Sequence, residues 1–272
     1  MTETKYVVTK VKFHLFLTGR GERAFIPPLL RSIVNDLNGV WTEQGGQFID
    51  FDDKPEFIGQ HSPRQLNVRE LEVVGTHKKI PRILEEKVSL KARSWLLESP
   101  DCFVLLLDDL ESPRADTANA VFLNYRAALD KALDKPTLRA RASVHFFVNM
   151  IEAYYFTHPD VVNDELGTDL QEPVGDVEEI IHPKNDLKAL VQAKDSTRNF
   201  REVEDGEKIV ARLDLGRVLN NPKTCRALRT LVGWCRHRLG AAFDDRWQLA
   251  QGEFHPLTRD QIPWPVSPAY RI

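Results

Sequence analysis

Asp108, Asp109 and Glu111 place three carboxylates within four residues, directly after the apolar run Phe103-Val104-Leu105-Leu106-Leu107. Such a run reads as a strand buried on both faces, and in open α/β sheets ligands bind beyond the carboxyl ends of the strands. Carboxylates gathered there must hold a cation, hold a proton or remain solvated. An all-oxygen donor set suits Mg2+ or Mn2+, which keep several waters and take one or two protein carboxylates. An acidic loop capping the next helix is the structural alternative. On an extended exit Asp108 and Leu110 point one way and Asp109 and Glu111 the other, so only one of these pairs faces a given site.

Three other residues have the types and settings for the same chemistry. Glu22 follows Thr18-Gly19-Arg20-Gly21, a turn that lets backbone approach a ligand and delivers an acid to a helix N-terminus. Glu152, in Val148-Asn149-Met150-Ile151-Glu152-Ala153-Tyr154-Tyr155-Phe156, has the most apolar neighbours of any acid in the chain. A buried charge requires a metal, an arginine or a proton, and Arg141 is its structural candidate. Lys184 reads equally as a phosphate contact or a solvated lysine at a helix start, and His145 reads as a core histidine. Gly19-x-Gly21-x-x-Ala24 also fits a loose dinucleotide fingerprint. That motif wants an acid about 20 residues on, and Asp50, at the second strand, lies too far along.

The elements that must position these residues alternate between strand and helix. Val11 to Leu17 is β-rich and runs into the glycine turn. Phe25, Ile26, Leu29, Leu30, Ile33, Val34 and Leu37 then recur at helical steps, with Pro27 and Pro28 near the first turn. Gln47 to Phe51 predicts a second strand and Asp52-Asp53 an acidic loop. Helices are expected over Pro81 to Leu97 and Ala118 to Leu133, a strand over Ser143 to Phe147, and a short helix or strand extension over Asn149 to Phe156. This pattern predicts an α/β fold, a mainly parallel sheet flanked by helices. The core spans residues 1–160. A helical and extended C-terminal region, 161–272, packs on it, with helices near Glu202 to Leu213 and Lys223 to Leu239 and a proline-rich tail.

Composition narrows the classes. With 272 residues, 42% apolar and 28% charged, the chain can bury one sizeable core. No apolar run approaches the roughly 20 residues of a bilayer span, and the N-terminus lacks a secretion-signal layout, so a cytoplasmic protein is expected. Cys102, Cys225 and Cys235 are odd in number and scattered, which favours reduced thiols; Cys225, Cys235 and His237 lack zinc-ligand pair spacing. The net charge of −3 does not mark a nucleic-acid binder. Local basic clusters at Arg20/Arg23, Lys78/Lys79/Arg82, Arg139/Arg141 and Arg226/Arg229/Arg236/Arg238 can supply a local field or line solvated helix faces.

In order and spacing, Phe16-Leu17-Thr18-Gly19-Arg20-Gly21-Glu22-Arg23-Ala24-Phe25, Leu107-Asp108-Asp109-Leu110-Glu111, Ile151-Glu152-Ala153-Tyr154 and Pro183-Lys184 resemble a prokaryotic Toprim-like family labelled as a domain of unknown function. The resemblance spans roughly residues 11–190. It implies a Toprim-like sheet and an Mg2+ site for phosphodiester chemistry. It also implies a place beside an ABC-type or overcoming-lysogenization-defect (OLD) type ATPase in phage defence. Glu22 matches the second acid of the first motif and Glu152 the family's later glutamate. Thr18 stands where a first glutamate is expected, and Asp108-Asp109-Leu110-Glu111 replaces a strict Asp-x-Asp pair. The expected function is therefore an Mg2+- or Mn2+-dependent nuclease acting on DNA or RNA. Glu22, Asp108, Asp109 and Glu111 would hold the metal, and Glu152 and Lys184 would assist. The alternative is a degenerate scaffold that binds the ATPase or a nucleic acid without cutting. The amphipathic C-terminal helix and tail are candidate surfaces for homo- or hetero-oligomers.

Overall fold

The computed structural model describes residues 8–17, 25–35, 48–57, 88–110, 118–220 and 224–239. The apolar run lies in strand β3, Cys102–Leu110, in which every residue is buried. Burial on both faces needs neighbours on both edges, and β3 has them. Strands β1 (Val8–Leu17), β2 (Phe48–Phe57), β3 and β4 (Ala142–Val148) form a sheet of order β2-β1-β3-β4, parallel throughout. The chain passes outward from β1 to β2 and then returns across β1 to β3 and β4. The winding therefore reverses between β1 and β3, the kind of crevice where open α/β sheets bind ligands.

Strand β2 corrects one expectation. Asp52 and Asp53, read as an acidic loop, lie within the strand and pair with Lys12 and Phe13 of β1. The ten-residue parallel ladder offered by β1 satisfies backbone groups that a loop would leave to water, and this outweighs the local composition.

Helices cover both faces. Helix α1 (residues 25–35) buries Phe25, Ile26, Leu29, Leu30, Ile33 and Val34. Helix α2 (Leu90–Glu98) is the described part of the helix expected from Pro81, and α3 (Ala118–Asp130) stops short of Leu133. Strand alternation puts His14, Phe16, Asp108 and Phe146 on one face. There Trp95 of α2 stacks on His14 with ring centroids 4.5 Å apart, and Tyr125 of α3 meets Phe146. Phe103, Asp109 and His145 face the other way.

The region after β4 is helical: α4 (Pro159–Leu166), α5 (Pro183–Lys194), α6 (Glu204–Ala211), α7 (Leu215–Asn220) and α8 (Arg226–Arg238). Trp234 of α8 lies edge-on to Phe103 and to His145, so α8 packs against the second face of the sheet. His145 is a buried core residue, as its sequence setting suggests. Among the described residues no helix is long and apolar enough to cross a membrane. The proline-rich tail lies outside the described residues.

Several arginines of the basic clusters have structural tasks instead of forming a solvated field. Arg141 donates to the carbonyls of Leu96, Ser99 and Cys102, closing the turn between α2 and β3. Arg139 donates to Leu133 O, and buried Arg229 to Thr224 O and Val218 O. Each neutralises carbonyl oxygens that helix ends and turns leave without a backbone donor. Arg20, Arg23, Lys78, Lys79 and Arg82 lie outside the described residues.

Candidate functional site

The register of β1 against β3 ends at the pair Leu17 and Leu107, so Asp108, Asp109 and Leu110 project beyond it while still paired with β4. The two aspartates thus project past the end of β1, at the switch point. Alternation turns them to opposite faces. Asp108, 3% exposed, accepts a hydrogen bond from the Tyr125 hydroxyl at 3.0 Å, beneath α3. Asp109, 8% exposed, turns toward the segment that follows β4.

That segment is bent by its own backbone. Asn149 and Met150 have φ of 55° and 78°, values that side chains rarely adopt outside functional or tightly held turns. Asn149 N–H still donates to Leu110 O, and its side-chain amide donates to Glu178 O. The chain then enters a 3₁₀ helix, Ile151–Thr157, all of it buried. Glu152 sits in its first turn, 4% exposed.

Tyr155 feels the charge of both acids. Burial raises its phenol pKa well above the usual value, and the charges of Glu152 and Asp109 raise it further. Both carboxylates therefore lie in electrostatic reach of one hydroxyl, which stays protonated. The Tyr155 ring meets Phe25 edge-on, at 6.2 Å between centroids. Gly206 of α6 closes the other side. A Cβ there would stand 2.7 Å from the Phe25 ring and 2.9 Å from the Tyr155 oxygen.

Behind the site, Tyr154 OH accepts from Val148 N–H and donates to Glu178 Oε1 at 2.8 Å. Glu178 also accepts from the N–H groups of Ala227 and Leu228, at the start of α8. Asp176 accepts from Cys225 N–H and from the Thr224 hydroxyl. Two acids thus cap one helix from a loop distant in sequence. Burial and the nearby Asp176 carboxylate outweigh the hydrogen bonds that favour the Glu178 anion, and its pKa rises to about 7.

The predicted residues are distributed unevenly around this site. Asp109 and Glu152 both lie within electrostatic reach of Tyr155, whereas Asp108 faces the other side of the sheet and accepts from Tyr125. Arg141, the expected partner of Glu152, lies at the opposite end of the sheet on carbonyl oxygens. This corrects the expected pairing: Arg141 precedes β4 and Glu152 follows it, so the length of the strand separates them. Lys184 pairs with Glu202 at 2.6 Å, so its charge is already matched by a neighbouring carboxylate. Glu22, Glu111 and Thr18 lie outside the described residues. Among the described residues no third acid completes a three-ligand cluster with Asp109 and Glu152.

A pair of nearly buried carboxylates supplies oxygen donors of the kind a hard divalent cation takes, and Mg2+ accepts as few as one or two protein oxygens. Tyr155 and Glu178 escaped sequence reasoning. Tyr155 looks like core in an aromatic run, and Ala227, whose N–H Glu178 caps, comes 49 residues later.

No curated protein and no solved structure matches the chain. The family described as Domain of unknown function (DUF4276) matches residues 19–233. This covers well over half of the sequence, and the chain belongs to that family.

Proposed function

We propose that the protein is a divalent-cation-dependent nuclease whose centre lies at the carboxyl edge of the sheet, between β1 and β3. The observation that carries this reading is that Asp109 projects from β3 beyond the last β1 pair at the switch point, while Glu152 lies nearly buried in the 3₁₀ helix that follows the neighbouring strand β4. Asp109 and Glu152 would hold Mg2+ or Mn2+, with Glu22 and Glu111 as the sequence candidates for further oxygens. When bound, the cation supplies charge neutralisation on the scissile phosphate and a more acidic water. Tyr155, kept protonated by burial and by two flanking carboxylates, acts as a hydrogen-bond donor to a phosphate oxygen. Asp108, tied to Tyr125, positions the β3 exit. Lys184 reaches a phosphate only by leaving Glu202.

The Toprim-like resemblance supports placing this activity in the cytoplasm, beside an ABC- or OLD-type ATPase in phage defence. The test is cleavage of tRNA, single-stranded DNA and duplex DNA by the assembled complex in Mg2+ and Mn2+, with ATP and the infection trigger. Activity lost in Asp109→Asn and Glu152→Gln, with assembly intact, supports the reading; intact substrates throughout would refute it.

One observation favours a second reading. Asp108, Asp109, Glu152 and Tyr155 are all buried, and Thr18 replaces the expected glutamate, which suits a scaffold that binds its ATPase or a nucleic acid without cutting. Phage protection unchanged by the same two substitutions would favour it.

A further inference from the structure

At the other end of the sheet, three side chains of different donor type converge. His14 of β1, Glu98 at the end of α2 and Cys102 at the start of β3 bring one nitrogen, one oxygen and one sulfur atom within 4.8 Å of one another. We propose that His14, Glu98 and Cys102 form a second cation site, for a Zn2+-type ion, separate from the carboxylate centre.

The donor set decides the class of metal. Thiolate, imidazole and carboxylate together suit Zn2+ and its borderline relatives, whereas Mg2+ and Ca2+ take oxygen alone. In a tetrahedral zinc site the ligand atoms stand about 3.3–3.6 Å apart, from bonds of about 2.0–2.3 Å. His14 Nε2 and Glu98 Oε2 are 3.8 Å apart, near that value. Glu98 is half-exposed, while His14 and Cys102 are buried. Three protein ligands leave a fourth position for water.

The surroundings hold these donors in place. His14 stacks on Trp95, with an angle of 11° between ring planes, which fixes the plane of the imidazole. Arg141 binds the carbonyls of Leu96, Ser99 and Cys102, and so clamps the turn that carries both Glu98 and Cys102. Lys12 stands against the site: its ammonium lies 3.6 Å from Glu98 Oε2, on the oxygen a metal would use. Binding would displace that ammonium into solvent. It would also release the Cys102 thiol proton to solvent, leaving a thiolate on the metal.

The test uses the purified full chain, stripped with chelator and titrated with Co2+ as an optical probe and with Zn2+ as competitor. The expected result is one equivalent of Co2+ with a thiolate-to-cobalt charge-transfer band, bleached by Zn2+. Cys102→Ser should abolish the band, and Glu98→Gln and His14→Gln should each weaken binding by about tenfold or more. Lys12→Met, which removes the competing cation, should tighten it. An Asp109→Asn/Glu152→Gln double variant should keep the band, so this site and the proposed nuclease centre fail separately. A band that survives Cys102→Ser, where Cys225 and Cys235 remain, would overturn the proposal. So would a wild-type chain without the band, or unchanged affinity in Glu98→Gln, a half-exposed change that the fold should tolerate.

Discussion

Replacing Glu178 by Gln tests the arrangement that supports the site from behind. The buried carboxyl accepts from Tyr154 OH and from two N–H groups at the start of α8, and its pKa stands at about 7 against 4.5 for a free side chain. Between those values the folded protein retains a proton that the unfolded chain has released. The unfolded state then binds fewer protons, so stability falls as pH rises, by about 1.4 kcal/mol per unit. Over the whole interval Glu178 makes the fold about 3 kcal/mol less stable. Below pH 4.5 both states are protonated and the loss vanishes; above 7 both are ionised and it is constant. Glutamine does not titrate, and this slope should disappear. Its amide would also set N–H groups against Ala227 N–H, which lies 3.1 Å from Oε2, so the variant should be less stable at low pH. Urea unfolding followed by tryptophan fluorescence reads both effects, because Trp95 and Trp234 report from opposite faces of the sheet. A constant stability difference between the two proteins from pH 4.5 to 7.5 would refute the argument.

Three other substitutions examine the packing of the same centre. Gly206→Ala should cost about 1–3 kcal/mol by driving a methyl into Phe25 and the Tyr155 hydroxyl, and Phe25→Leu should recover part of the loss in thermal unfolding. Tyr125→Phe removes the donor to Asp108 Oδ2 and should lower unfolding free energy by about 1–3 kcal/mol, measured in urea. Tyr155→Phe should leave stability unchanged or raise it by up to about 1 kcal/mol, since that buried hydroxyl has no hydrogen-bond partner among the described residues. Cleavage should fall in the same variant. A clear destabilisation would show that the hydroxyl is bonded in the resting protein.

The sequence revealed the parts of the fold that rest on local pattern. The apolar run at Phe103 to Leu107 could only be an internal strand, and the parity of Asp108 and Asp109 was readable before any coordinates, since alternation alone sends them to opposite faces. Composition misled where long-range pairing takes over, as at Asp52 and Asp53, which β1 recruits into a strand. The basic clusters misled for a related reason. A charge run shows that guanidinium groups are present but not that Arg141 and Arg229 spend them on carbonyls of neighbouring turns. Nor does local pattern reveal Glu178, which sits in a short 3₁₀ turn, Val177–Glu179, and accepts from the N–H of Ala227, 49 residues later. The His14, Glu98 and Cys102 group is hidden in the same way, because only the β1 to β3 register brings His14 beside the α2 to β3 turn.

The proposed centres lie at opposite ends of β3, and their separation makes a last prediction. From Cys102 to Asp109 the strand advances seven residues, about 23 Å at roughly 3.3 Å each. Two charged sites that far apart lie beyond the screening length of about 8 Å at physiological salt. Groups so distant, sharing no ligand, contribute additively. A ligand that binds only the native state raises its stability by an amount set by its concentration over its Kd. Zn2+ and Mg2+ should therefore each raise the melting temperature, and their shifts should add when both are present. Glu98→Gln should reduce the zinc shift alone and Glu152→Gln the magnesium shift alone, because each ion prefers one donor set. Saturation of the combined shift at the larger single value would mean that both ions compete for one place, and the separation of the two centres would fall.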